Sequence, residues 1–349
     1  MESIPLVVSL LGMLFVGSLF AVDKQRDLAI FYFFCICFFV LLIIRTRGWD
    51  FELYAAMFES VAVDSISSSW TEPGFLVAML VVKSIGGNFF IFNMLYALLF
   101  VVLFSKVCKW IGFGLCFAAL LYFCFYYFRG PYGQLRQSIS VLIFIFTLRH
   151  LYARPSVYFA INSAAALFHG LSLIAFPFYV VSRLMKWDMR IAWLLLIAAG
   201  VFTRLVILPH MTDASYDVSI LNKFKYYLSL ADEKNVLYRS IELPKIIFVT
   251  VVLFLFYPKY SEISLLEKTL IMCYFFGIYL FLVLSIDLRL ASRLAAPFLT
   301  VDFLILANAL RYSRGFPRIF LILLSGSLGL FYLLNEILMM SNATLEYSW

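Results

Sequence analysis

Charge is scarce in this chain of 349 residues: Asp, Glu, Lys and Arg together make up 13%, against about a quarter in an ordinary soluble domain. With 64% hydrophobic and 19% aromatic residues, that deficit excludes a soluble globular protein. No polar stretch of about 100 residues, the usual size of a small domain, separates the apolar runs, so there is no soluble catalytic domain and no nucleotide-binding module. Any activity must sit in the membrane or in short loops. The ten-residue alternation of a transmembrane β-barrel is also missing. Runs such as FYFFCICFFVLLII at 31–44 are continuous and predict helices. Histidine is down to three residues, and the six cysteines lack a CxxC pair or a neighbouring His; helix packing is expected of them rather than metal or disulfide chemistry. No cofactor and no metal are expected. The net charge of +7 is ordinary for a membrane protein with basic cytoplasmic loops and gives no reason to expect nucleic acid as a partner.

What is present is a succession of apolar runs. At roughly 20 residues per bilayer crossing they predict an all-α, polytopic transmembrane helical bundle of about 10–12 membrane helices, read as one transmembrane domain over 1–349. Spans are expected at 4–22, 28–44, 88–105, 111–128, 134–150, 190–208, 244–257, 268–286, 294–310 and 319–340. The first has only Glu2 before it and no basic leader, so it is expected to be retained rather than cleaved. Two segments do not fit a simple span. Residues 73–85 are short and closed by Gly86 and Gly87, which predicts a half-helix or an interfacial helix. Residues 156–183 are broken at Phe168-His169-Gly170 and again at Pro177, which predicts a re-entrant hairpin.

Orientation follows from Lys and Arg. Placing the N-terminus outside puts 14 of the 27 basic residues in six short inner loops, as the positive-inside rule favours. The long loops 45–72 and 209–243 then face outward. Arg45, Arg47, Arg129, Arg136, Arg204, Arg289 and Arg293 fall at the outer ends of spans, where that rule disfavours them. Snorkelling or pairing with Asp50, Glu72 and Asp287 explains any one of them. As a set, they are better explained by an anionic ligand at the outer face, because guanidinium forks match phosphate oxygens and stay charged in a low-dielectric site.

Four constellations could carry chemistry. In the loop 45–72, Asp50 follows Arg45 and Arg47 at the mouth of a span, a position suited to a base acting on a sugar hydroxyl; Glu72 is a second candidate, or simply the cap of the helix begun by Pro73. In FRGPYGQLRQS at 128–138, a tight turn places Arg129 on one side and Arg136 and Gln137 at the start of the next helix, where free N–H groups favour an anion. His169 sits at the hairpin break, as a packing residue or a substrate contact. Arg289 and Arg293 are four apart, on one face if helical, and suit a diphosphate. The loop 209–243 carries Tyr216, Tyr226, Tyr227 and Tyr238, either to stack on sugars or to lie in the membrane interface.

The order of Arg47-Gly48-Trp49-Asp50-Phe51-Glu52-Leu53-Tyr54, then Glu72-Pro73-Gly74-Phe75, Leu135-Arg136-Gln137 and Leu167-Phe168-His169 resembles the EpsG-like family of bacterial polysaccharide polymerases, which includes Wzy-type O-antigen polymerases. Ile139 stands where that family commonly has a small residue. The resemblance implies a GT-C-like glycosyltransferase of the bacterial inner membrane with its active site facing the periplasm. Its partners would be an undecaprenyl-diphosphate-linked oligosaccharide, membrane lipid and a chain-length regulator. The growing chain would pass from its lipid diphosphate to the non-reducing end of an incoming lipid-linked repeat. Asp50 or Glu72 would deprotonate the acceptor, and Arg136, Arg289 and Arg293 would stabilise the departing diphosphate. Arg45, Arg47, Arg129, Gln137 and His169 complete the expected substrate-binding set.

A transporter of the same lipid-linked repeat is the competing class, since it too would use arginines and broken helices. Scarce charge within the spans, with Asp302 the main acidic residue, and the lack of an internal repeat weigh against it. An acyltransferase would want a partner for His169 that the neighbouring sequence lacks.

Overall fold

The computed structural model describes residues 12–13, 15–17, 24–45, 48, 50–64, 66, 71–110, 114–183, 188–207, 242–285 and 288–346. Every regular element among them is helical, as the continuous apolar runs require. The expected span 4–22 and the tyrosine-rich loop 209–243 fall largely outside these residues. By contact the chain divides into two compact units, Met1–Leu173 with Leu306–Trp349, and Ile174–Ile305. Neither boundary falls in a polar linker; the second lies within a helix.

In the first unit, α1 (Lys24–Ile43), α2 (Phe51–Ser60), α3 (Pro73–Ser84) and α4 (Phe89–Cys108) are followed by α5 (Leu115–Tyr122). The chain then widens into a π-helical segment, Phe123–Gly133, that includes Pro131. Next come α6 (Leu135–Thr147) with a closing 3-10 turn, Leu148–His150, and then α7 (Pro155–Ala166). α1 and α4 are each 20 residues long and apolar enough to cross a membrane, about 30 Å at 1.5 Å per residue. α3, with 12 residues, reaches only about 18 Å and ends at Gly86, whose φ of 79° lies in the left-handed region that favours glycine. This matches the short helix expected at 73–85. The break expected at 168–170 is present as well: α7 stops at Ala166 and a 3-10 turn, Gly170–Ile174, follows.

Helix contacts in this unit are largely aromatic. Phe31 and Phe38 of α1, Phe100 and Phe104 of α4, and Tyr122 and Phe123 are all buried, with Phe38 stacked on Phe123 at 5.5 Å. A hydrogen bond from Tyr127 Oη to the Phe38 carbonyl at 3.0 Å satisfies the hydroxyl that burial would otherwise strand. Asp27, fully buried in the first turn of α1, accepts the amides of Leu115 and Cys116 at 2.8 and 2.9 Å. It thereby caps α5, whose own N-cap, Gly114, has no side chain to do so.

The second unit contains α8 (Ala175–Val181), α9 (Met189–Phe202) with a π-helical end Thr203–Ile207, α10 (Glu242–Phe256), α11 (Leu265–Leu284), α12 (Leu288–Leu299) and the start of α13 (Asp302–Tyr312). The run expected as one span at 294–310 falls within Leu290–Tyr312, 23 residues long and apolar enough to cross a membrane; a turn at Thr300 and Val301 separates α12 from α13 within it, and the Thr300 hydroxyl donates to the Ala296 carbonyl there. Buried Lys245 of α10 is held by Glu242 at 2.9 Å and by Asp302 at 3.3 Å, so the interior aspartate has a partner. The last helix, α14 (Phe316–Glu346), packs along the π-helical segment of the first unit. Among the described residues five stretches are long and apolar enough to cross a membrane; the runs expected at 111–128, 134–150, 190–208 and 244–257 form shorter helices, three of them continued by π or 3-10 turns.

Candidate functional site

Three short segments far apart in the chain meet at one end of the first unit. The loop after α1 leads into α2 at Asp50, α3 begins after Glu72, and α6 begins one residue before Arg136. Asp50 and Glu72 both occupy N-cap positions, and neither side chain makes a capping hydrogen bond. Both turn elsewhere. Asp50 Oδ2 accepts the hydroxyl of Tyr54 at 3.0 Å, a residue four along the same helix and so on the same face. Tyr54 Oη in turn accepts Arg136 Nε at 3.3 Å. Arg136 Nη1 lies 2.6 Å from Glu72 Oε2, and Glu72 Oε1 accepts the amide of Gly170 at 3.0 Å. The result is one continuous chain, Asp50–Tyr54–Arg136–Glu72–Gly170.

The walls of the site explain why the guanidinium sits where it does. Its carbon lies 5.3 Å from the centre of the Tyr54 ring and 4.9 Å from that of Phe75, so two aromatic faces hold the planar cation. Tyr54 and Phe75 are buried, while Arg136 and Glu72 keep 18% and 25% of their side-chain surface exposed, enough for a ligand to reach them. Among the described residues Arg136 Nη2 has no protein acceptor, which leaves one arm of the fork for an incoming anion. Burial, then the neighbouring Asp50, push the Tyr54 hydroxyl up to about 12 against the opposing pull of Arg136. Tyr54 therefore stays protonated at neutral pH and donates to Asp50.

Two glycines permit the close approach of these segments. A Cβ on Gly74 would lie 2.7 Å from the Leu167 carbonyl, the group to which the Gly74 amide donates at 2.8 Å. This contact brings the break after α7 against the start of α3 and delivers the Gly170 amide to Glu72. A Cβ on Gly48 would lie 2.5 Å from the Tyr132 carbonyl. The hydroxyls of Ser140 in α6 and Ser172 share a hydrogen bond that fixes the same break from the other side.

Arg45 takes a different position from Arg136. It is 4% exposed, and its guanidinium donates to the carbonyls of Pro131 and Tyr132 at 3.0 and 2.5 Å and to Asn93 Oδ1 at 2.7 Å. Burial lowers it from the ordinary value to about 10, still cationic at neutral pH. In this arrangement Arg45 ties α1, α4 and the π-helical segment together behind the site. Arg129 lies half-buried in that segment and Gln137 half-buried in the first turn of α6. His169 is half-buried at the break, its Nδ1 accepting the Leu171 amide at 3.1 Å. Arg289 and Arg293 lie on α12 in the second unit, four apart in a helix as expected, with Arg293 exposed. Arg47, Asp287 and the side chain of Arg289 lie outside the described residues. No cluster of metal-ligating side chains occurs among the described residues.

Sequence reasoning named Asp50, Glu72 and Arg136 separately and missed what joins them. Tyr54 was signalled by its spacing of four from Asp50, and Asn93 by being a lone amide within an apolar run. The Gly170 amide carries no signal in sequence. No curated protein and no solved structure matches the chain. A family model for the EpsG family matches residues 30–349, taking in both units and every segment that builds the site, and the chain therefore belongs to the EpsG family.

Proposed function

We propose that this protein is a membrane glycosyltransferase that polymerises undecaprenyl-diphosphate-linked oligosaccharide repeat units at the periplasmic face of the bacterial inner membrane. Membership of the EpsG family supports polysaccharide biosynthesis. The observation that carries the chemistry is the placement of Arg136, partly exposed, against Glu72 and, through Tyr54, Asp50, with Nη2 unengaged among the described residues.

Asp50 is the better base of the two. Glu72 already uses both oxygens, one on Arg136 and one on the Gly170 amide, whereas Asp50 uses only Oδ2 for Tyr54. In this scheme Asp50 takes the proton of the acceptor hydroxyl as its oxygen bonds to the anomeric carbon of the growing chain. The bond from that carbon to the diphosphate breaks, and its electron pair goes to the diphosphate oxygen. Arg136 receives the developing charge through its fork, and Glu72 is a positioning residue that sets its orientation. Diphosphate is already a good leaving group, so the scheme needs no metal. Arg129, Gln137 and His169 of the first unit are candidate sugar or phosphate contacts, and Arg289 and Arg293, on α12 of the second unit, are candidate phosphate contacts in their own right.

The test is reconstitution of the purified protein in liposomes with an undecaprenyl-diphosphate oligosaccharide. A ladder of products differing by one repeat is expected. The buried Lys245–Glu242–Asp302 cluster is the one observation that favours a flippase, because ionisable groups inside a membrane bundle often mark a transport path. Translocation of the lipid-linked substrate without any ladder would establish that reading instead.

A further inference from the structure

The helices that carry the Arg136 site at one end carry a basic cleft at the other. It is lined by Lys106, Lys109, Trp110, Phe146 and Arg149 and has a volume of about 380 Å³, within the usual range for small-ligand sites. Lys106 is in the last turn of α4 and Lys109 caps it. Arg149 is in the 3-10 turn that closes α6. Arg136 stands in the first turn of α6 and Arg149 in the turn that closes it, about 20 Å on at 1.5 Å per residue, so the cleft lies at the opposite end of these helices from the Arg136 site.

The cations converge on shared aromatic rings. Arg149 Cζ lies 3.8 Å from the centre of the Phe146 ring and Lys106 Nζ 6.0 Å from the same ring. Trp110 stacks on Phe146 at 5.9 Å, and Lys109 Nζ lies 4.9 Å from the Tyr32 ring of α1. Arg149 Nε donates to His150 Nε2 at 3.0 Å, which orients the guanidinium and makes that imidazole an acceptor. Helix dipoles and the positive-inside rule explain a cation at each helix end taken singly. They do not explain why cations from two helices and two aromatic rings enclose one open cleft whose five lining residues include no carboxylate.

We propose that this cleft binds the phosphate of an anionic glycerophospholipid headgroup. Arg149 takes phosphate oxygens through its fork, and Lys106 and Lys109 add point charges. Trp110 and Phe146 pack against the glycerol and the first acyl carbons, the amphipathic role such rings play at a membrane interface. A basic pocket between membrane helices, at the ends that the positive-inside rule assigns to the cytoplasm, matches the leaflet where anionic lipid gives a negative surface potential. The proposal does not depend on the activity assigned to the Arg136 site.

The test uses full-length protein in nanodiscs of phosphatidylcholine containing phosphatidylglycerol, with retained lipid counted by native mass spectrometry after mild extraction. Retained phosphatidylglycerol is expected to fall about tenfold in the K106Q/K109Q/R149Q variant, as the loss of charge-assisted bonds implies, while phosphatidylcholine is unchanged. Arg149→Gln alone is expected to lower it about threefold, which keeps the test decisive if the triple variant does not fold. Equal phosphatidylglycerol retention by wild type and Arg149→Gln would overturn the proposal. So would displacement of the lipid by millimolar inorganic phosphate, which would assign the cleft to a soluble anion.

Discussion

Glu72 and Arg136 are 64 residues apart in the chain, and their charged atoms are 2.6 Å apart in the fold. Each belongs to the first turn or cap of a different helix, and their pairing makes a partly exposed guanidinium into a fixed feature of the site. Tyr54 completes the arrangement by donating to Asp50 and accepting from Arg136, so the two carboxylates are joined through one cation and one hydroxyl.

Arg136→Lys preserves the charge and loses the fork. An ammonium cannot hold Glu72, Tyr54 and a ligand oxygen in one plane. Product ladders from membranes matched for protein level are expected to fall by about 100-fold, the scale of losing one oriented donor to a developing oxyanion. Near-normal polymerisation by the Lys variant would reduce Arg136 to a long-range charge.

The two carboxylates are expected to separate. Asp50→Asn should retain lipid-linked donor and lose turnover by about 10²–10⁴-fold, the usual contribution of a general base. Glu72→Gln should weaken donor binding as well, since it releases Arg136 from its orientation. Donor retention and ladder length in the same membranes distinguish them. Full ladders from Asp50→Asn would exclude it as the base.

Tyr54 should not shape a pH profile near neutrality. Its folded value of about 12 lies above the ordinary tyrosine value of 10, so the stability it contributes is complete below about pH 10 and is lost as pH rises through about 12. Between pH 10 and 12 the stability of wild type should accordingly fall more steeply with pH than that of Tyr54→Phe, read from alkaline unfolding, and the activity profile of wild type between pH 6 and 9 should show no tyrosine ionisation. A Tyr54→Phe variant with an unchanged alkaline transition would contradict the assignment.

Gly74→Ala adds a methyl group 2.7 Å from the Leu167 carbonyl. A backbone atom cannot rotate away, so overpacking of about 1–3 kcal/mol is expected, read as a lower melting temperature in detergent. Because the same contact brings the Gly170 amide to Glu72, activity should fall further than the loss of folded protein explains. An unaltered melting temperature would show that the junction of α3 and the break yields easily.

Sidedness is testable with a cysteine at exposed Glu59 on α2 and another at exposed Lys106 at the far end of α4. In intact spheroplasts a membrane-impermeant thiol reagent should label the first above the wild-type signal and leave the second unlabelled until the membrane is opened. The reverse pattern would place the Arg136 site in the cytoplasm and remove the proposed reaction.

Sequence by itself determined which segments are helical and where several of them fail. Continuous apolar runs leave the backbone no partner but its own helix, so α1, α4, α11 and α14 are legible without any tertiary information. The short α3 and the break after α7 are equally local, because Pro73, Gly86, Gly87 and Gly170 act within a turn or two of their own positions. What the arginines do is not local. Arg45 and Arg136 look alike in sequence, each an arginine at the outer end of an apolar run. Packing turned Arg45 inward onto the Pro131 and Tyr132 carbonyls and Asn93 and left Arg136 partly exposed between Tyr54 and Phe75. The two acidic N-caps divide in the same way: neither bonds the amides of its own helix, but Asp50 accepts the Tyr54 hydroxyl one turn along α2, whereas Glu72 finds Arg136 and the Gly170 amide across the fold. A side-chain hydrogen bond goes to whichever donor the surrounding helices bring within about 3 Å, and that choice is made only when the helices pack.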